Sequence, residues 1–451
     1  MTDDLRDVWI TGIGLVAACG IGRDAFWAGM REGRSPVKRI DRFDPGTFRS
    51  QVAAQVDAFE PLDHMDARTA RQLDRFSQFG LAAGGLALAD AGWQPGRAGA
   101  GADPTRTGIY LGSALGGIAF AETQHERYLE RGIRAVSPTL ALAVFGGAAP
   151  ANIGIALGVR GPILSTANSC ASGSVALGEA LGAIRAGEID AAIAGGVECP
   201  LSPLAFGAFD IIRALSPGSN ANPEAACRPF DSGRDGFVMG EGAALLLLEA
   251  SDIARSRGAQ PYARLMGYGA TSDAYHMVQP RPDGIEAARA ASIAMADAGV
   301  RPGEIDYVNA HASSTPIGDV AEARALALAL GEGLGKVPVS GTKALYGHPL
   351  GASGAIEAAI SALTIRDGWA PPSVSSPFSW SCWRGSSGSS AGGCPRARSN
   401  RKQSNGWTKS ITSFRSSSIC SSSPLKPVSG SSARCRWPRV AWGRRLARRS
   451  N

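Results

Sequence analysis

Three times along this chain, a short apolar run ends in a turn of small residues that carries one reactive side chain. The first is 161–173, Gly-Pro-Ile-Leu-Ser-Thr-Ala-Asn-Ser-Cys-Ala-Ser-Gly, which holds Cys170. A helical pattern follows at once, with apolar positions at 177, 180, 181 and 184. The other two are 306–319, carrying His311, and 339–357, carrying His348. Strands that alternate with helices build parallel-rich α/β sheets, and the turns after the strands are where such sheets carry their sites. That pairing of pattern and chemistry leaves few folds open.

Cys170 sits where a helix begins. The N–H groups of a helix's first turn lack partners and carry partial positive charge. The sequence therefore predicts a thiol that ionises easily, and the thiolate is the nucleophile. A cysteine among alanine, serine and glycine also fits a plain packing position. Two of the chain's five histidines occupy turns of the same kind, which argues against that simpler account.

Together these turns resemble the Cys-His-His set of the β-ketoacyl-acyl-carrier-protein synthases, the condensing enzymes of fatty acid and type II polyketide synthesis. The likeness extends over about residues 7–373 and includes Arg228-Pro229-Phe230-Asp231, the run 235–242 (Asp-Gly-Phe-Val-Met-Gly-Glu-Gly) and 272–277 (Ser-Asp-Ala-Tyr-His-Met). Several ordered motifs are far more specific than one short pattern.

The resemblance implies an α/β, thiolase-like fold of two similar halves stacked in five layers. Residues 1–260 would hold the nucleophile and 261–375 both histidine turns. Cys170 would take an acyl group from an acyl carrier protein, and malonyl on a second carrier protein would lose carbon dioxide. The resulting carbanion would attack the acyl-enzyme, a decarboxylative Claisen condensation. Neutral His311 and His348 would each donate a hydrogen bond to the malonyl thioester oxygen. Lys343 matches the family's lysine and would order the site; a buried ion pair with Glu357 is its competing explanation. Leu115, in the glycine-rich turn 112–117, and Phe237 are expected in the acyl pocket. Arg68 and Arg71 are expected to dock the acidic carrier protein, although solvated charges on a helix face explain them equally well. No cofactor and no metal is implied. A homodimer is, or a heterodimer with a ketosynthase-like subunit.

Two departures stand out. Ala312 replaces the glycine usual after the first histidine. The family's closing strands and Gly-Phe-Gly-Gly-Thr-Asn motif, whose phenylalanine supplies an oxyanion-hole N–H, are not found after residue 373. An inactive subunit like the chain-length factor of polyketide systems is therefore the alternative, although those partners lack the cysteine. Residues 315–319 lean toward the fatty acid enzymes and 43–54 toward the polyketide ones.

Elsewhere, 8–18 reads as a strand entering a glycine turn and satisfies the G-x-G-x-x-A form of the dinucleotide fingerprint. The acid that should follow about twenty residues on is not evident, and tight strand-to-turn packing explains the glycines more simply. One long helix is predicted over 69–92, and strands over 107–111 and 191–196. From Pro261 the order restarts: strand 263–268, helix 284–299, strand 307–310, helix 320–330, strand 338–341 and helix 351–366.

The formal charge of +7 is unevenly spread. Asp367 is the last acidic residue, whereas 15 of the 46 basic ones follow it, so residues 1–367 carry 31 basic and 39 acidic side chains, a net −8. That body makes no general case for nucleic acid. No cysteine pair has zinc-site spacing, and neither a signal peptide nor a membrane span is found, so a reducing cytoplasm is expected. Segment 376–451 is rich in Ser and Arg, lacks acids and holds five of the nine tryptophans. It reads either as a disordered RNA-contacting tail or, preferred here, as the product of a reading-frame shift near residue 375.

Overall fold

The computed structural model describes residues 5–94 and 101–371, with the backbone of 410–411. The tail expectations, including its reading frame and the Gly-Phe-Gly-Gly motif, lie outside the described residues.

The strands are β1 (Val8–Ala17), β2 (Gly20–Ile21), β3 (Lys38–Arg39), β4 (Val52–Ala53), β5 (Thr107–Gly112), β6 (Ile163–Thr166), β7 (Ala191–Glu198), β8 (Gly242–Ala250), β9 (Ala263–Leu265), β10 (Val308–Asn309), β11 (Val339–Ser340) and β12 (Ser410–Ile411). The α-helices are α1 (Arg23–Glu32), α2 (Ala67–Gln72), α3 (Arg75–Asp90), α4 (Ile118–Arg131), α5 (Leu140–Ala143), α6 (Ala148–Leu157), α7 (Ser172–Arg185), α8 (Pro203–Ile211), α9 (Ser251–Ser256), α10 (Ile285–Ala298), α11 (Gly318–Leu330) and α12 (Ser353–Asp367).

One sheet runs β12-β9-β1-β8-β7-β5-β6, with β2 folded back on β1. β5 pairs parallel with both β6 and β7, while β8 is antiparallel to β7 and β1. Helices cover both faces, so the central strands lose the usual apolar–polar alternation. Leu245, Leu246, Leu247 and Leu248 of β8 are consecutive and all fully buried. Each such side chain contributes about 1.5–3 kcal/mol, which fixes this strand at the sheet's centre.

Layering follows from the apolar clusters. Phe79, Ala83 and Ile153 of α3 and α6 pack with Leu245 and Leu247 on one face. Leu177 and Leu181 of α7 and Ile356 and Ile360 of α12 pack with Leu246 and Leu248 on the other. Beyond α12 lies the parallel pair β10–β11, covered in turn by Met295 of α10 and Leu326 of α11. Helix, sheet, helix, sheet, helix is the expected five-layer order. The unit β5-α6-β6-α7 recurs as β10-α11-β11-α12, although β9 pairs with β1 in the large sheet.

Two local expectations fail. The glycines of 8–18 lie inside β1 rather than in a turn, and β1 continues into the β2 hairpin. A Cβ on Gly12 would come within 2.2 Å of the Ala87 carbonyl oxygen, and one on Gly14 within 1.9 Å of that of Ala83. These glycines let α3 lie directly on the strand, and the dinucleotide reading has no helix N-terminus to use. The predicted helix 69–92 is two helices, because Leu73 is extended and two aspartates start new turns. Asp66 caps α2 through the Arg68 and Thr69 N–H groups, and Asp74 caps α3 through that of Ser77. No helix of the described residues is long and apolar enough to cross a membrane.

Candidate active site

Cys170 lies in a single 3₁₀ turn, 169–171, between β6 and α7. The chain reverses sharply here, with Ser169 in the left-handed region at φ 50°, a conformation that costs a non-glycine residue about 1–2 kcal/mol. Ser172 holds the turn: its hydroxyl donates to the Ser169 carbonyl oxygen at 2.6 Å and accepts from the Asn168 N–H at 2.8 Å. Gly112 gives the turn room, since a Cβ there would meet the Ser172 carbonyl carbon at 2.1 Å.

His311 follows β10 in a strained loop, with Ala312 at φ 40° and Ser314 at φ 68°. The Glu322 carboxylate, from α11, accepts the N–H groups of His311 (2.6 Å) and Ala312 (2.7 Å) and so freezes the loop. Asp319 does the same for Ser314 and Phe230, at 3.0 and 2.7 Å. Lys343 is fully buried; it donates to the His311 carbonyl oxygen and pairs with Glu357, and its Nζ lies 3.4 Å from His311 Nδ1. The ion pair with Glu357 and the contact with His311 coexist.

His348 is fixed to the segment 238–240: its N–H donates to the Val238 carbonyl oxygen at 2.8 Å, and its own carbonyl oxygen accepts from Gly240 at 3.1 Å. Ser353 Oγ, at the start of α12, lies 2.8 Å from His348 Nδ1. A Ser353 hydroxyl and a Lys343 ammonium can both donate to the Nδ1 atoms. Each ring then carries its hydrogen on Nε2, the tautomer able to donate.

From three distant turns, one sulfur and two imidazoles converge. A ligating atom from each of Cys170, His311 and His348 lies within 4.8 Å of the others, and all three residues are buried. The two rings meet edge to face at 5.1 Å between centroids. Burial, reinforced by the Lys343 charge, holds both imidazoles well below the ordinary histidine range, which favours their neutral forms. Burial also pushes the Cys170 thiol up to about 12, with Lys343 opposing. The expectation of an easily ionised resting thiol is thus corrected: desolvation outweighs the helix start and the nearby cation.

Residues 5–254 match the family profile described as beta-ketoacyl synthase, N-terminal domain, and 262–376 match that of the C-terminal domain. The chain belongs to the beta-ketoacyl synthase family. Its relatives include the 3-oxoacyl-[acyl-carrier-protein] synthase 2 of Staphylococcus aureus (strain MRSA252), 39% identical over 374 residues, 83% of this chain and 89% of that one. The enzyme of the same name from Vibrio cholerae is 40% identical over 370 residues, 82% and 88% of the two chains. Among solved structures, a beta-ketoacyl synthase from Burkholderia phymatum matches with TM-score 0.75 and 35% identity over 82% of this chain and 88% of that one. A type II PKS acyl-carrier protein in complex with its ketosynthase matches with TM-score 0.73 and 31% identity, at the same coverages.

In this beta-ketoacyl synthase the surroundings of the triad sort the remaining expected residues. Leu115 and Phe237 join Cys170, Phe206, Met239 and Leu350 in one apolar cluster, and the Phe237 ring stands 5.2 Å from that of His348. Arg68 and Arg71 are exposed on α2 and take no part in it.

Four residues around the triad escaped the sequence reading: Glu198, Asp319, Glu322 and Ser353. Glu198 ends β7 and accepts the N–H groups of Ala114 (2.6 Å), Leu115 (3.1 Å) and Gly351 (2.9 Å) and the Ser113 hydroxyl (3.0 Å). It thereby ties the turn 113–115 to the loop after His348. The available signal was a lone acid closing an otherwise apolar strand, Ala191–Glu198.

Proposed function

We propose that the chain is a 3-oxoacyl-acyl-carrier-protein synthase that acylates Cys170 and extends the acyl group by decarboxylative Claisen condensation. The observation that carries this reading is the Cys170, His311 and His348 cluster, with one ligating atom from each residue within 4.8 Å of the others.

In the first half-reaction the Cys170 thiol gives up its proton as sulfur attacks the acyl carrier thioester. The carbon–sulfur bond to the carrier breaks, and the proton ends on the departing carrier thiol. A neutral imidazole beside the sulfur is the natural relay, because a thiol held near 12 needs a base at the moment of attack. In the second, malonyl carrier protein loses carbon dioxide and enolate charge gathers on its thioester oxygen. The Nε2–H groups of His311 and His348 aim at that oxygen, each such donor being worth about 3 kcal/mol. The carbanion attacks the acyl carbonyl, expels Cys170 sulfur and leaves the chain two carbons longer. Lys343 keeps His311 in the donating tautomer. Leu115 and Phe237 line the acyl pocket, and Arg68 and Arg71 receive the acidic carrier protein.

The partner surface is β6, the terminal strand of the large sheet, where Ile163 and Leu164 remain 43% and 40% exposed. A second copy pairing along this edge would cover both. The free thiols suit a reducing cytoplasm.

Incubation with radiolabelled acyl carrier protein tests the reading. Label should reach the intact protein and not Cys170→Ala, while malonyl decarboxylation, which does not use the Cys170 sulfur, should survive that substitution. Labelling of Cys170→Ala at the wild-type level would refute the assignment. The presence of the cysteine favours this reading over a non-catalytic chain-length-factor-like subunit.

A further inference from the structure

We infer that Cys170, His311 and His348 also form a three-ligand site for a thiophilic divalent cation, Zn²⁺, whose binding occupies the nucleophile and blocks acylation. Nothing in the condensation chemistry requires a metal, so such binding regulates or inhibits.

The donor set carries the argument. Thiolate and imidazole are both ligand types that zinc takes, and three protein ligands leave a fourth position open. Both Nδ1 atoms are already in contact, with Ser353 Oγ at 2.8 Å and Lys343 Nζ at 3.4 Å, which leaves each Nε2 for a ligand. His311 Nε2 is the telling atom: it is buried, the residue is only 6% exposed, and it has no hydrogen-bond partner. A buried ring nitrogen without a partner, on a residue grouped with a sulfur and a second imidazole, is open to a ligand.

The spacing is compatible. A tetrahedral zinc with one sulfur and two nitrogen ligands holds them about 3.3–3.6 Å apart, so the largest separation of 4.8 Å closes by roughly 1 Å. Side-chain rotation supplies that. The outer shell is also suitable. The Ser353 hydroxyl can turn to accept from His348 Nδ1–H, and the Glu322 carboxylate already anchors the His311 backbone.

The step balances simply. The S–H bond of Cys170 breaks, a Zn–S bond forms, and the proton leaves to solvent; nothing is oxidised or reduced. On both rings the hydrogen moves from Nε2 to Nδ1: His348 then donates to Ser353 Oγ, and the 3.4 Å approach of Lys343 to His311 is released. Lys343 keeps its two other acceptors, Glu357 and the His311 carbonyl oxygen.

Two measurements on the full chain, reduced and metal-free, decide the matter. Cd²⁺ should produce a thiolate-to-metal charge-transfer absorbance of one equivalent that is missing in Cys170→Ala. In His311→Ala and His348→Ala the affinity should fall by at least about tenfold. Zn²⁺ should slow alkylation of Cys170 by iodoacetamide, followed on its own peptide by mass spectrometry, at least about tenfold, and EDTA should restore the rate. An unchanged alkylation rate at saturating Zn²⁺ overturns the inference, and this readout needs no variant to fold. So does a cadmium band that persists in Cys170→Ala. Acyl labelling in metal-free buffer is read separately, so losing the metal site leaves the condensing reaction standing.

Discussion

Lys343 and Glu357 form an ion pair closed off from water, and the same ammonium donates to the backbone carbonyl oxygen of His311. The side chain that steadies the first histidine of the cluster is thus neutralised by an acid on α12, the helix that follows the second. Removing one partner leaves a buried charge uncompensated, which typically costs about 3–5 kcal/mol.

Lys343→Ala should therefore lower the urea midpoint sharply as well as slow malonyl decarboxylation. The double substitution Lys343→Met with Glu357→Gln removes both charges, and it should recover most of the lost stability without recovering decarboxylation. Recovery of both would mean that the lysine acts on folding alone.

Ser353 reaches the cluster through His348 Nδ1, at 2.8 Å. Ser353→Ala frees the ring to change tautomer and removes one hydrogen bond worth about 1 kcal/mol. Malonyl decarboxylation should fall about five- to tenfold in kcat with little change in KM, whereas acyl labelling of Cys170 should continue. Equal losses in both half-reactions would point to a general disturbance of the fold.

Gly112 lets β5 pass the first turn of α7. The Cβ of Gly112→Ala would meet the Ser172 carbonyl carbon at 2.1 Å, and backbone cannot yield as a flexible side chain does. The turn holding Cys170 should shift, with an overpacking cost of about 1–3 kcal/mol. Acylation should drop at least about 100-fold, measured as initial labelling rate on protein whose circular dichroism is unchanged.

His311 and His348 titrate well below 6.5 because burial disfavours their charged forms. Decarboxylation should consequently stay level as pH falls from about 8 to about 6, with no acid limb at the ordinary imidazole position. Below 6.5 the unfolded chain takes up protons that these folded rings refuse, so stability is present above that pH and declines beneath it. A profile breaking at 6.5 would show the rings to be solvated.

Glu198 acts in the opposite sense. Burial pushes it up to about 7 even though four donors oppose the shift. Between about 4.5 and 7 the folded chain retains a proton that the unfolded chain has lost, so its contribution to stability shrinks as pH rises. Relative to wild type, Glu198→Gln should gain stability across that window, read from urea unfolding at stepped pH. A difference that does not vary with pH would show the carboxylate to be ionised throughout.

The strand–turn–helix cassettes around Cys170, His311 and His348 were legible because each pattern is local: apolar run, small residues, helical period. Packing at Gly12 and Gly14 was not, since the same glycines serve a turn or a helix lying across a strand, and only α3 decides which. The split at Leu73 escaped because the apolar period continues through it, while two aspartate caps divide it.

The sequence by itself determined the element order, the reactive side chains and the turns that hold them, because these depend on neighbours a few positions apart. Only the tertiary structure decided that atoms of residues 170, 311 and 348 stand within 4.8 Å, and that Glu198 and Glu322 clasp their loops. It also reversed the expected character of the thiol, which burial pushes up to about 12. Ionisation is set by what surrounds a group in space, and desolvation by distant segments has no trace in the local sequence.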